Sequence, residues 1–121
     1  MRIADRPKQV LVLDVGTSML KACVVDAHGE FVSSATRRWS CTAQEGISAG
    51  LAFQPEQLAE EMLCLGSEAL ERAGRVADGI IVSTQRLGFV FLDEGGVPIA
   101  GLPNIDRRAT EEAVAFQDET G

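Results

Sequence analysis

Five residues in the segment VLVLDVGTSMLKACVVD, one glycine and four with polar side chains, have the types and spacing of a phosphate-binding turn. Gly16 lets the backbone approach an anion closely and adopt a positive φ. Successive backbone N–H groups, together with the Thr17 and Ser18 hydroxyls, can donate to phosphoryl oxygens. Lys21 adds a cation, and Asp14 is placed to bind a hydrated Mg²⁺, which prefers one or two carboxylates besides phosphate and water. An ordinary hairpin with a Gly turn fits these residues equally well, because short motifs of this kind have false matches.

The elements that flank this turn are strands. Two apolar runs, Val10–Leu13 and Ala22–Val25, predict a strand, a tight loop and a returning strand. Residues 26–29, Asp-Ala-His-Gly, are typical of a turn. A third strand is predicted after it, Phe31–Arg38, which completes a meander of three strands. The polar turn is therefore expected at the mouth of a buried sheet.

A helix is predicted after the meander, beginning at Pro55 and ending at Gly74. Its apolar residues recur at spacings of three and four and form one face that should pack on the sheet: Leu58, Met62, Leu65, Ala69 and Ala73. Gly66 costs roughly 1 kcal/mol relative to Ala inside a helix, so it indicates a close packing contact. The apolar run Gly79–Ser83 predicts a buried strand parallel to the first.

The remaining segments carry weaker signals. Ser40–Phe53 has no clear period and is interpreted as a loop. Phe89–Leu92 and Val97–Ala100 predict a hairpin around a Gly-Gly turn. A last helix is predicted from Asp106, as its N-cap, to Gln117, with Gly121 closing it.

A second group of polar residues follows the predicted parallel strand, where open α/β sheets bind ligands. Gln85 can donate and accept, and Arg86 offers a fixed fork of donors. Asn104 and Asp106 come after the hairpin and are expected to point toward the same crevice, which would suit sugar hydroxyls. Taken alone, the simpler interpretation of Asp106 is a helix cap, and that of residues 107–108 is a solvated basic turn.

Both groups resemble motifs of the FGGY carbohydrate kinases, which have the actin-like ATPase fold. DVGTSMLKACVVDAHGE resembles their first phosphate motif, roughly Asp-x-Gly-Thr-(Ser/Thr)-x-x-(Lys/Arg). VSTQRLGFVFLDEGGVPIAGLPNIDRRA is similar to their substrate-contacting segment. This similarity implies four substrate contacts: Gln85, Arg86, Asn104 and Asp106. Leu87 and Asn104 depart from the usual residues, and the Pro-Asn-x-Asp-x-Arg sequence instead resembles the branch containing autoinducer-2 kinase, whose substrate is an open-chain hydroxylated pentanedione.

The resemblance implies an α/β protein with a partial ribonuclease H-like (actin-like) fold. Its mixed sheet would contain an antiparallel meander in the order β-β-β-α-β, followed by a hairpin and a helix. Residues 1–121 would form the N-terminal part of the first actin-like domain of an ATP- and Mg²⁺-dependent kinase acting on a small sugar or polyol. The catalytic base would lie outside this chain, so the chain itself is expected to be inactive. The alternatives are a non-enzymatic actin-like nucleotide-binding or assembly module and a degenerate domain without a ligand.

Composition narrows the classes of partner. The formal charge of −7 argues against nucleic acid and anionic membrane surfaces. The three cysteines have no metal-like spacing, and their odd number argues against a disulfide framework. We expect a cytoplasmic protein, since neither a membrane span nor an apolar signal core is visible. Apolar surface left uncovered on a partial domain would favour a homo-oligomer.

Overall fold

A computed structural model describes residues 8–74 and 76–121 and divides the chain into two compact units. The first contains the described residues of Met1–Trp39 and Glu56–Gln85, and the second contains Ser40–Pro55 and Arg86–Gly121. In chain order the elements are β1 (Gln9–Val15), β2 (Met19–Asp26), β3 (Phe31–Arg38), β4 (Thr42–Ala43), β5 (Leu51–Ala52), α1 (Pro55–Ala73), β6 (Gly79–Thr84), β7 (Phe89–Leu92), β8 (Pro98–Leu102) and α2 (Thr110–Thr120).

The first unit is a mixed sheet with one helix packed on it. Its strand order is β3-β2-β1-β6, with β1–β2 and β2–β3 antiparallel and β1–β6 parallel. This arrangement confirms the predicted meander, and β3 has the predicted bounds. The predicted β-β-β-α-β order also holds, except that β4 and β5 lie between β3 and α1.

Strand alternation separates a core face from an open face. Leu11 and Leu13 of β1 are buried, as are Leu20, Ala22 and Val24 of β2. Because alternate side chains of a strand point to opposite faces of the sheet, the intervening residues lie on the other face. The strands therefore present one apolar face to α1.

Helix α1 has the predicted bounds and the predicted apolar face. It begins at Pro55 and carries Glu56 in its first turn and Arg72 in its last, which suits the helix dipole. Gly74 follows with a φ of 62°, as a left-handed C-terminal cap requires. Met62, Leu65 and Ala69 are buried against the sheet.

Gly66 marks a close approach of α1 to the sheet. A Cβ at this position would lie 3.2 Å from Leu13 Cδ2 and 3.3 Å from Leu11 Cδ2. The predicted close packing contact is therefore confirmed. The absent side chain lets the helix backbone settle on two leucines of β1.

The prediction that Gly79–Ser83 is buried was wrong. Ile80, Ile81 and Val82 expose 63%, 56% and 61% of their surface. The strand is parallel to β1 as predicted, but it lies at the edge of the sheet and has a neighbour on one side. Helix α1 covers the other strands instead, and the Ser33 hydroxyl of β3 donates to the Ala69 carbonyl over 2.6 Å.

The second unit contains two small hairpins and α2. Segment 40–53 was interpreted as a loop, but it includes the paired strands β4 and β5. The predicted hairpin of β7 and β8 is confirmed, except that β8 spans Pro98–Leu102 where Val97–Ala100 was predicted. Phe53 and Gly101 exchange backbone hydrogen bonds of 2.9 and 3.3 Å. A Cβ on Gly101 would overlap the Phe53 ring unless that ring moved.

The last helix begins later than predicted. Helix α2 starts at Thr110, and its N-cap residue Ala109 makes no side-chain cap hydrogen bond. Asp106 was predicted as the N-cap, but its carboxylate accepts the Leu51 N–H instead. The helix has no buried residue, so its predicted apolar face does not pack. Gly121 closes it as predicted, its N–H donating to Gln117.

Across the described residues, every helix is too short or too polar for a membrane span.

We predict that Gly66→Leu destabilises the first unit by roughly 1–3 kcal/mol, because the added side chain would be forced into Leu11 and Leu13. Urea unfolding followed by circular dichroism measures this. Ser67→Leu, on the exposed side of the same helix, is the matched control and should change the unfolding free energy by less than about 0.5 kcal/mol. Equal stability of Gly66→Leu and wild type would contradict the close contact.

Candidate functional site

The turn between β1 and β2 is closed by Gly16. Its N–H donates to the Met19 carbonyl over 2.9 Å. A Cβ at position 16 would lie 2.9 Å from that same oxygen, closer than real Cβ atoms come to backbone. Glycine is therefore required for the turn to close. Gly16 does not have the positive φ that was expected, so the requirement comes from the close approach to Met19. Thr17 is half-buried and Ser18 is exposed at its tip.

Asp14 and Lys21 lie directly opposite each other where this hairpin ends. They are partners in the β1–β2 register, and residues in register share a face of the sheet. Their neighbours Leu13 and Ala22 are buried under α1, so the pair lies on the open face. Asp14 is half-buried and Lys21 is exposed.

The pairing of β1 with β6 and of β2 with β3 extends this pair into a polar row across the sheet. Ser83 of β6 is the partner of Asp14, and Thr36 of β3 is the partner of Lys21. Both hydroxyl side chains belong to exposed residues. The row Thr36-Lys21-Asp14-Ser83 therefore offers a cation, a carboxylate and two hydroxyls on one surface.

Asp14 suits Mg²⁺ held together with phosphate better than Mg²⁺ held by protein alone. No group of three or more His, Cys, Asp or Glu side chains that could hold a metal occurs within residues 8–74 and 76–121. Mg²⁺ commonly binds through one or two carboxylates and takes its other ligands from phosphates and water. A single carboxylate beside a phosphate-binding turn fits that mode.

Cys23 lies on the same open face, two residues along β2 from Lys21. It is the partner of Val12 in β1 and of Ser34 in β3. Burial, and then the negative charge of Asp14, raise the pKa of the Cys23 thiol. A thiol with a raised pKa is a weaker nucleophile at neutral pH.

The four predicted substrate residues are divided between the two units. Gln85 ends the first unit, and its N–H donates to the Val15 carbonyl over 2.8 Å, extending the pairing of β6 with β1. Arg86 begins the second unit and is exposed. Leu87 follows with a φ of 63°, uncommon for a residue with a side chain. Such strained backbone often marks a functional turn.

Asn104 and Asp106 both line a pocket of about 460 Å³ in the second unit. Leu87, Phe89 and Pro103 supply apolar walls to the same pocket. The structure therefore brings two of the four predicted residues together. Arg86 does not line this pocket.

Asp106 is held in place by Arg108. Arg108 Nε donates to Asp106 Oδ1 over 2.9 Å, and Nη2 donates to Oδ2 over 2.9 Å. The Leu51 N–H donates to Oδ2 over 2.6 Å. The interpretation of residues 107–108 as a solvated turn was thus wrong for Arg108, whose side chain is only 27% exposed.

Arg108 also links Asp106 to the β4–β5 region. Its Nη2 group donates to the Leu51 carbonyl over 3.1 Å and to Gln44 Oε1. The paired guanidinium of Arg108, followed by backbone donors, lowers the pKa of Asp106 to about 2. This carboxylate therefore remains ionised and fixed in orientation.

The sequence did not single out Trp39, which contacts the turn closed by Gly16 directly. Its indole Nε1–H donates to the Gly16 carbonyl over 2.9 Å. The available signal was that Trp39 is the single tryptophan of the chain and follows directly on the predicted third strand.

The Asp106–Arg108 pair predicts a defined pH dependence of stability. Folding lowers the pKa of Asp106, so its ionised carboxylate stabilises the fold at pH values above the pKa of an unfolded Asp, near 4. That contribution to stability is lost as the pH falls toward 2. Asp106→Asn should lower the unfolding free energy near pH 7, and its difference from wild type should shrink between about pH 4 and 2. Urea unfolding at a series of pH values measures this.

The matched control for this test is Glu94→Gln, which changes an exposed carboxyl in the β7–β8 turn. It should show no comparable change with pH. A constant difference between Asp106→Asn and wild type across that window would contradict the pairing of Asp106 with Arg108 in solution.

Sequence comparison relates the chain to carbohydrate kinases over nearly its whole length. It is 29% identical over 114 residues to YoaC of Bacillus subtilis (strain 168), provisionally named a sugar kinase, covering 93% of this chain and 23% of that protein. It is 29% identical over 115 residues to the autoinducer-2 kinase of Enterobacter sp. (strain 638), covering 90% of this chain and 21% of that protein. No protein-family profile matches the chain.

Structural comparison gives the fold. The xylulose kinase from Rhodospirillum rubrum matches with a TM-score of 0.80 at 23% identity, covering 93% of this chain and 24% of that one. The chain thus spans less than a quarter of the length of these relatives. The resemblance seen in the sequence is confirmed: the chain has the fold of a part of the actin-like FGGY carbohydrate kinases and is related in sequence to sugar kinases.

Proposed function

We propose that this chain supplies the phosphate-binding turn and substrate contacts of an ATP-dependent kinase that phosphorylates a hydroxyl of a small sugar or polyol. The observation that carries the proposal is the placement of Asp14 opposite Lys21 on the open face, beside the turn closed by Gly16. The similarity to sugar kinases supports it.

In this proposal the turn residues hold the phosphates of ATP. Backbone N–H groups of the turn and the Thr17 and Ser18 hydroxyls donate to phosphoryl oxygens. Lys21 lies beside the negative charge that spreads over those oxygens during transfer, and its cation stabilises that charge. Asp14 would hold Mg²⁺, which neutralises phosphate charge when bound.

The substrate contacts are assigned to Gln85, Arg86, Asn104 and Asp106. Gln85 and Asn104 can both donate to and accept from a hydroxyl, and Arg86 can donate from its exposed fork. The fixed orientation of Asp106 beside Arg108 suits a carboxylate that accepts from one particular hydroxyl. The later steps of transfer, including the catalytic base, are assigned to residues outside this chain.

Within this class we favour an open-chain, autoinducer-2-like substrate. The relatives include kinases named for autoinducer-2. The Pro103-Asn104-x-Asp106-x-Arg108 sequence agrees with that branch in the resemblance described above. Ketoses and alditols are the competing substrates.

The activity is proposed for a protein that contains this chain, because the chain covers less than a quarter of its relatives. We expect the 121 residues alone to have no kinase activity. We place the longer protein in the cytoplasm, where ATP is available. A non-enzymatic actin-like module would instead bind Mg-ATP without phosphorylating any polyol.

Lys21→Ala should lower the turnover number of the parent kinase roughly 100-fold or more, as expected on losing a group that stabilises developing charge. Steady-state ADP release at saturating substrate measures this. Lys8→Ala, the other lysine of the chain, is a suitable control because its exposed side chain pairs with Asp78. Unchanged turnover in Lys21→Ala would remove the phosphate assignment.

Arg86→Ala should raise the KM for the sugar or polyol roughly tenfold, because a hydrogen bond from a charged donor is lost, and leave the KM for ATP unchanged. Initial rates with each substrate varied in turn separate the two constants. Arg37→Ala serves as control, since Arg37 pairs with Glu68 of α1 and lies on the core face of the sheet. An unaffected KM for the polyol would remove the substrate assignment of Arg86.

A further inference from the structure

Trp39 makes two hydrogen bonds to the turn closed by Gly16. The indole Nε1–H donates to the Gly16 carbonyl over 2.9 Å. The Trp39 backbone N–H donates to the Ser18 carbonyl over 3.2 Å. One residue at the end of β3 therefore engages two carbonyls of a turn that is more than twenty residues away in the chain.

These two bonds orient the peptide groups of the turn. In a planar trans peptide the C=O of one residue and the N–H of the next point in opposite directions. With its carbonyl directed at the indole, the Gly16–Thr17 peptide directs the Thr17 N–H away from Trp39. The Ser18–Met19 peptide likewise directs the Met19 N–H away from Trp39. Each of these N–H groups is therefore held on the side of its peptide opposite the bond to Trp39.

Packing alone does not account for an indole at this position. Trp39 is half-buried and contacts the apolar core of the first unit. A phenylalanine ring could fill most of that space, whereas the bond to Gly16 requires the indole N–H. The two contributions can therefore be separated by replacing Trp39 with Phe, which keeps an aromatic ring and the backbone bond to Ser18.

We propose that Trp39 is a positioning residue for phosphate binding: through the Gly16 and Ser18 carbonyls it orients the turn so that its N–H groups face the phosphates of the nucleotide. The phosphate part of this inference rests on the proposed function. The orienting part rests on the hydrogen bonds alone, and the two parts have separate tests.

The first test needs no nucleotide. In the 121-residue chain, Trp39→Phe should speed amide hydrogen exchange at Gly16, whose N–H closes the turn on the Met19 carbonyl, about threefold to tenfold, the range expected for one lost hydrogen bond. Exchange at Val24, in the core of β2, should stay unchanged. Phe31→Leu is the control, since Phe31 is an exposed aromatic residue of the same strand. Unchanged exchange in the turn, or a uniform increase through β2, would overturn the inference.

The second test uses Mg-ATP and isothermal titration. Trp39→Phe should weaken Mg-ATP binding about threefold to tenfold while its melting temperature stays close to that of Phe31→Leu. Lys21→Ala, measured in parallel, reports on the proposed function by itself. If Lys21→Ala weakens binding and Trp39→Phe does not, the positioning role is wrong. If wild type binds no Mg-ATP, the phosphate role of the turn is wrong, and with it the role of Trp39 in phosphate binding.

The unique tryptophan gives an independent readout. Because Trp39 is the single tryptophan of the chain, its emission reports on this turn alone. Mg-ATP should change the Trp39 emission of wild type, and Lys21→Ala should shift that change to higher nucleotide concentration. Emission that stays constant while Mg-ATP binds would overturn the coupling of Trp39 to the phosphate-binding turn.

Discussion

The register between β1 and β2 is the constraint on which the first unit depends. A slip of one residue would move every side chain of a strand to the opposite face of the sheet. In the observed register, Leu13 pairs with Ala22 under α1 and Asp14 pairs with Lys21 on the open face. The burial of apolar residues and the juxtaposition of the two charges therefore have one cause. Gly16 sets this register because only glycine allows the turn to close on Met19.

Local sequence signals were sufficient for most of the first unit. Strand β3 was predicted with its observed bounds, and so was α1, from Pro55 to the cap at Gly74. These elements combine a clear hydrophobic period with turn or capping residues at their ends, so local preference and tertiary packing agree. The close contact at Gly66 was likewise predictable, because an internal glycine in an otherwise good helix calls for a packing reason.

The features that escaped prediction depend on contacts distant in sequence. Asp106 has the type and position of a helix cap, yet it bonds to Leu51 and Arg108, and α2 begins four residues later. Strands β4 and β5 have too few residues to show a period, and Arg108 contacts Leu51 of β5 and Gln44, the residue after β4. The exposure of β6 follows from where α1 packs, which its own apolar sequence does not reveal. The structure gives the positions of the predicted site residues on the fold. Their roles remain predictions.

The most direct measurement of the central claim is ADP release by the parent protein, assayed against a panel of polyols, ketoses and open-chain pentanediones. The 121-residue chain is the control. The account predicts Mg-ATP-dependent turnover on one class of the panel, strongest for the open-chain compounds, and none by the isolated chain. If the parent protein binds Mg-ATP but releases no ADP with any compound of the panel, the kinase assignment is contradicted. That result would favour a nucleotide-binding module without transfer activity.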